Sequence, residues 1–158
     1  MSYLENYFNR VPRELRKSSA IAYMAAFDHL KTNNPFIIEK IIQELQDQRC
    51  FLKLIASENY CSEAVQLAMG NWLTDKYAEG YPYHRFYAGC DNIDAIEATC
   101  VSEAKTIFQC DHAYVQPHSG ADANLVAFWA VLVARIQNKE VEKLGKKNIN
   151  DLSKEEHE

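Results

Sequence analysis

Glu79 stands in the stretch KYAEGYPYHRFYAGC, Lys76 to Cys90, which also carries Tyr77, Tyr81, Tyr83, His84, Arg85, Phe86 and Tyr87. A carboxylate set among aromatic rings is a candidate acid or base, because a positioned carboxyl group can give and take a proton. The plain alternative is a surface carboxylate paired with Arg85, and spacing leaves both open. No regular element is written this way. Gly80 and Pro82 interrupt a helix, the aromatics keep no single helical face, and Pro82 removes a ladder donor from a strand. A loop of this kind is expected to line a site.

Two further segments carry chemistry. In AYVQPHSGADANLV, the strand candidate HAYVQ delivers the chain to a turn of small residues, and a helix begins there with unpaired N–H groups that suit an anion. Ser119 can cap that helix or donate its hydroxyl, and Gly120 lets a phosphate approach the backbone. Taken alone, Ser119 with Asp122 reads as the common helix-start signature S-x-x-D, and His118 as a turn residue. In LIASENY, Ser57, Glu58 and Asn59 follow the apolar run Phe51 to Ile55, expected to be extended. They either face a cleft at a strand end or cap the next helix.

The elements that must position these groups follow from periodicity and caps. Pro12 opens an expected first helix over RELRKSSAIAYMAAFDHL, ending near Asn34, and Asn34-Pro35 caps a second that runs to about Cys50 with Ile38, Ile41, Ile42 and Leu45 on one face. Ser62 caps a short helix over SEAVQLAMGNWL. Asp91 is expected to cap a longer one, in which Ile93, Ile96, Cys100, Ala104, Ile107 and Phe108 form an apolar stripe. LVAFWAVLVARI is apolar nearly all round, which predicts a deeply buried helix. The reading divides the chain into a helical arm (1–50), the start of a larger domain (51–136), and a charged tail or incomplete insertion (137–158).

With 158 residues, 47% of them hydrophobic and 25% charged, the chain has the composition of a globular protein, not a disordered one. A net charge of -5 argues against a nucleic-acid partner. No apolar run is long enough to span a bilayer, and the first residues lack a signal-type core, so no membrane and a cytoplasmic location are expected. Five cysteines without a C-x-x-C pair are expected to be reduced thiols with no metal, Cys100 on the apolar face of its helix.

Read together, LIASENY (54–60), LTDKYAEGYPYHRFYAGC (73–90) and VQPHSGADAN (115–124) resemble serine hydroxymethyltransferase, over roughly Ile38 to Ala134. The resemblance implies an α/β chain, the N-terminal portion of a fold-type I transferase dependent on pyridoxal 5'-phosphate (aspartate aminotransferase-like), mostly helical in this part. It implies interconversion of serine and glycine with tetrahydrofolate as co-substrate, in a homodimer or tetramer. Ser57 would bind the substrate carboxylate and Tyr77 the cofactor phosphate of the neighbouring subunit. Glu79 would handle the proton at the substrate hydroxymethyl group, with Tyr87 beside substrate and cofactor. Ser119, Gly120 and Ala121 would cradle the cofactor phosphate.

The sequence also departs from the family pattern. Ala121 replaces a second serine, Phe86 replaces a tyrosine near the folate, Tyr83-His84 stands where a glycine-containing turn is usual, and Ala88 replaces a glycine. The aldimine lysine of the family has no counterpart in these 158 residues, since Lys76 and Lys105 match other positions. Two expectations follow: part of a working hydroxymethyltransferase, or a truncated, inactive piece that at most associates with full-length enzyme.

Overall fold

The computed structural model describes residues 1–156. They form two compact units, one ending at Thr74 and one starting at Asp75. The division thus falls inside the stretch read as the start of the larger domain.

The first unit opens with a helix that the sequence reading did not expect, α1 (Tyr3–Arg10). Its signal is S-x-x-E: Ser2 Oγ accepts from the N–H of Glu5 at 3.0 Å, and the Glu5 carboxylate accepts from the N–H of Ser2 at 3.1 Å. The expected helix after Pro12 starts later. Arg13–Leu15 is a 3-10 turn, and α2 occupies Ser18–Asn33. Arg16 explains the delay, because its guanidinium donates to the carbonyls of Val11 and Phe8 and so folds the chain back over the end of α1. Next, α3 (Pro35–Cys50) begins where expected, with Asn34 Oδ1 accepting from the N–H of Ile37 and Pro35 at the first position. Its Ile38 is the most deeply buried side chain of the unit.

Asp28 of α2 joins the first two helices. Its carboxylate accepts from the N–H groups of Tyr3 at 2.6 Å and Leu4 at 3.1 Å, so an anion closes the positive end of α1 from the side. Phe51 to Ile55 forms no strand. An extended run needs a neighbour for its backbone groups, and the chain instead turns at Ala56-Ser57, with the N–H of Glu58 donating to the Ile55 carbonyl. α4 (Glu63–Met69) is capped by Ser62, and Trp72–Asp75 adds a 3-10 turn.

In the second unit, β1 (Gly80–Tyr81) and β2 (His84–Arg85) pair antiparallel around Pro82-Tyr83. This hairpin is the only sheet among the described residues. The strand candidate HAYVQ therefore stays irregular, and what is observed of the α/β expectation is helices with little sheet. α5 (Asp91–Phe108) starts one residue earlier than expected, Cys90 occupying the cap position and Asp91 the first turn. Its expected apolar stripe faces inward only in part: Ile93 and Ala104 are half-buried, Ile96, Cys100, Ile107 and Phe108 are exposed, and Asp94 is buried. α6 (Gly120–Leu132) continues through a π-helical turn, Val133–Gln137, into α7 (Asn138–Lys143).

α6 forms as expected but is not buried. Leu125, Phe128 and Trp129 are 57%, 67% and 62% exposed, because no sheet is present to cover them. In the charged segment, Val141 of α7 is buried and a capped 3-10 turn occupies Ile149–Asp151, so its described part is structured. All five cysteines are free, and only Cys90 is buried. Among the described residues no helix is long and apolar enough to cross a membrane.

Two predictions follow. Burial alone pushes the Asp28 carboxyl up, but the N–H groups of Tyr3 and Leu4, with Ser2 and Lys31, outweigh it and hold the folded-state pKa below the ordinary value. A carboxyl depressed on folding contributes fully above its unfolded pKa of about 4, and the contribution is lost as pH falls through the lower folded value. Asp28→Asn should therefore lower the thermal midpoint at neutral pH, and its deficit relative to wild type should close in acid. A deficit independent of pH would contradict the assignment. The second concerns Tyr83, held at φ 64 in the hairpin turn, a left-handed conformation that a Cβ disfavours. Tyr83→Gly should stabilise the chain by about 0.5–1 kcal/mol, read from the urea midpoint.

Candidate functional site in the second unit

The hairpin places Arg85 against α5, and four of its contacts are hydrogen bonds of 2.6 to 2.9 Å. Nε donates to Asp94 Oδ1 at 2.7 Å and Nη2 to Glu97 Oε2 at 2.6 Å. Nη1 donates to the carbonyls of Ala78 and Gly80, the residues on either side of Glu79. The Arg85 side chain is only 4% exposed. Hydrogen bonding from Glu97, then Asp94, raises its pKa above the ordinary arginine value against the opposing effect of burial, so it is a fixed cation.

This geometry removes the Arg85 pairing that spacing allowed for Glu79. Arg85 spends its charge on Asp94 and Glu97, and among the described residues the Glu79 carboxylate has neither an ion pair nor a hydrogen-bond partner. It is exposed, while its carbonyl accepts from the N–H of Phe86 at 3.0 Å. The main chain is held and the acid group is free. Tyr77 and Tyr87, both exposed, meet edge to face with ring centroids 5.4 Å apart.

Tyr77, Glu79, Gln116 and His118 line an open cleft of about 570 Å³. His118 is followed by Ser119, whose Oγ accepts from the N–H of Asp122 at 3.1 Å, the ordinary capping bond. The Ser119 hydroxyl hydrogen stays available, and the N–H groups of Gly120 and Ala121 have no intrahelical acceptor. A Cβ at Gly120 would meet nothing within 4 Å, so the first turn is open to a bulky group. Three outward donors at the positive end of a thirteen-residue helix suit a phosphate. The cleft joins the aromatic loop to the segment that ends at His118, one residue before the Ser119 cap. Ser57 belongs to the other unit, where it is exposed in the turn before α4.

Asp94, Glu97 and Gln116 escaped the sequence reading, which followed the apolar periodicity of α5 and the small residues of the PHSG turn. The legible signal was a pair of carboxylates three residues apart on one helix, close in sequence to an arginine in a loop. Among the described residues no group of three or more His, Cys, Asp or Glu could hold a metal ion.

A family model described as Serine hydroxymethyltransferase matches residues 30–148. Proteins named Serine hydroxymethyltransferase from Chlamydia muridarum and Chlamydia pneumoniae are 52% and 54% identical, over 99% and 98% of this chain. One from Chlamydia trachomatis serovar D is 50% identical over 99%. The likeness therefore takes in the arm and the charged segment, beyond the span that the motifs mark. This chain covers 32%, 31% and 32% of those three proteins' lengths, about a third. With a family match over most of its length and half its residues identical to several members, the chain belongs to the serine hydroxymethyltransferase family.

Proposed function

We propose that these residues form part of an enzyme that interconverts serine plus tetrahydrofolate with glycine plus 5,10-methylenetetrahydrofolate. The observation that carries the reading is the Glu79 carboxylate, unpaired on a main chain held by Arg85, in a cleft also lined by His118, the residue before the Ser119 cap of α6. Ser119, Gly120 and Ala121 would hold the phosphate of pyridoxal 5'-phosphate, through one hydroxyl and two backbone N–H groups. That cofactor, when bound, supplies an electron sink for bonds at the amino-acid Cα. Ala121 offers its N–H but not the hydroxyl that the family usually has there.

Glu79 would hold or move the proton at the hydroxymethyl oxygen of serine, and Ser57 would bind the substrate carboxylate. Tyr77 and Tyr87, exposed and in mutual contact, would reach the cofactor and substrate of a neighbouring subunit in a homodimer or tetramer. Phe86 removes one hydroxyl from the folate side. Fold-type I architecture, with residues 1–50 as an arm, 51–136 opening the large domain and 137–158 belonging to an insertion, is part of the same reading. So is a cytoplasmic location.

A second reading is favoured by α6. Its exposed Leu125, Phe128 and Trp129 forgo burial worth about 1.5–3 kcal/mol per side chain. The 158 residues would then be a truncated, catalytically inactive piece that at most associates with full-length enzyme through this helix. Sedimentation at increasing concentration tests this directly, since a stable monomer would remove it.

The enzymatic reading is tested in a chimera carrying residues 1–158 in place of the matching part of the Chlamydia muridarum protein. Glu79→Gln keeps the shape of the side chain and abolishes proton exchange. Turnover of serine should fall by roughly a hundredfold or more, with cofactor affinity nearly unchanged. Wild-type turnover in that variant would remove Glu79 from the mechanism.

A further inference from the structure

We propose that Gln116 is a positioning residue for Glu79, setting the aromatic loop against the start of α6. The inference rests on the reading of Glu79 as the proton-handling group. Gln116 Nε2 donates to the carbonyl of Gly80 at 2.8 Å and to Glu97 Oε1 at 2.7 Å. Its Oε1 accepts from Tyr114 Oη at 3.1 Å. Two acceptors face Nε2 and a donor reaches Oε1, so only one orientation of the amide satisfies the set.

The consequence is local and directional. Three successive carbonyls around the acid group are occupied: Ala78 by Arg85, Glu79 by the N–H of Phe86, and Gly80 by both Arg85 and Gln116. Arg85 and the hairpin fix the loop to α5. Gln116 alone among these donors lies on the 115–119 segment, three residues before Ser119, and it shares Glu97 with Arg85. Through it, the segment leading into α6 is tied to the loop by one hydrogen bond, at the Gly80 carbonyl, and to α5 by a second, at Glu97. An acid whose backbone is held at three successive carbonyls keeps its place in the cleft, which is what proton transfer to one substrate atom requires. The side chain is half-buried and uncharged, so replacing it leaves the Arg85 ion pairs standing.

Gln116→Met preserves length and removes the hydrogen bonds. In the 158-residue chain itself, exchange of the Phe86 amide, bonded to the Glu79 carbonyl, should accelerate by about tenfold, while α5 amides keep their protection. Unchanged exchange at Phe86 would overturn the proposal. In the chimera with the Chlamydia muridarum protein, the same substitution should lower kcat roughly tenfold, leaving KM for serine within about twofold. The double variant Glu79→Gln, Gln116→Met should be no slower than Glu79→Gln alone, because Gln116 acts through Glu79. Losses that multiply would mean a general structural role and would overturn it. Wild-type activity of Glu79→Gln would instead overturn the proton-handling reading, and with it the purpose assigned to Gln116. Should the Met variant prove insoluble, Gln116→Asn, which stays polar but falls short of Gly80, is held to the same exchange and kinetic outcomes.

Discussion

A guanidinium is kept from water only where its donors meet acceptors, and Arg85 meets four from two directions: two carboxylates on α5 and two carbonyls of its own loop. The second unit depends on that cluster. The hairpin has two residues per strand, too few to stand alone in water. What fixes it is the charge pairing with Asp94 and Glu97, helped by Cys90, buried beneath the loop with Sγ 3.7 Å from the Tyr77 carbonyl. Lysine cannot replace this arrangement, since one ammonium cannot span carbonyls and carboxylates in a fixed planar fork. The same pairing makes Arg85 unavailable to Glu79, whose carboxylate has no ion pair among the described residues.

Polar contacts carry an unusual share of the structure because apolar burial is sparse. Among the described residues only Ile38, Cys90 and Val141 are buried apolar side chains. Helix caps make up part of the difference locally, at Ser2, Asn34, Ser62 and Ser119, and Asp28 ties α2 to the start of α1. α6 shows the other side of this balance: a helix apolar on every face, capped correctly by Ser119, with nothing over it. Its sequence is written for a covered position, which fits a chain that spans about a third of its relatives' lengths.

Local signals were legible in the sequence and non-local ones were not. Asn34-Pro35, Ser62 and Ser119 announce helix starts through chemistry within four residues, and each is found where expected. The start of α1 is written just as locally, in Ser2 and Glu5. HAYVQ and Phe51–Ile55 look like strands by composition, but a strand exists only with a neighbour to pair with, and none is beside them. The inward face of α5 was misread for a related reason: Ile96 and Phe108 match the helical period, yet Arg85 pulls Asp94 and Glu97 to the inside. At the candidate site, Tyr77 and Glu79, named from type and order, line the cleft. Gln116, whose importance lies in a contact 36 positions away in sequence, was not legible.

The central claim is that Arg85 is a buried cation, held by four hydrogen bonds, around which the Glu79 loop is built. Nitrogen-resolved NMR of arginine side chains in the 158-residue chain tests it most directly. The Nε–H of Arg85 should be observable at neutral pH with slow solvent exchange, unlike those of the exposed Arg10 and Arg49, and Asp94→Asn should accelerate it. An Arg85 Nε–H that exchanges as fast as those of Arg10 and Arg49 would contradict the account.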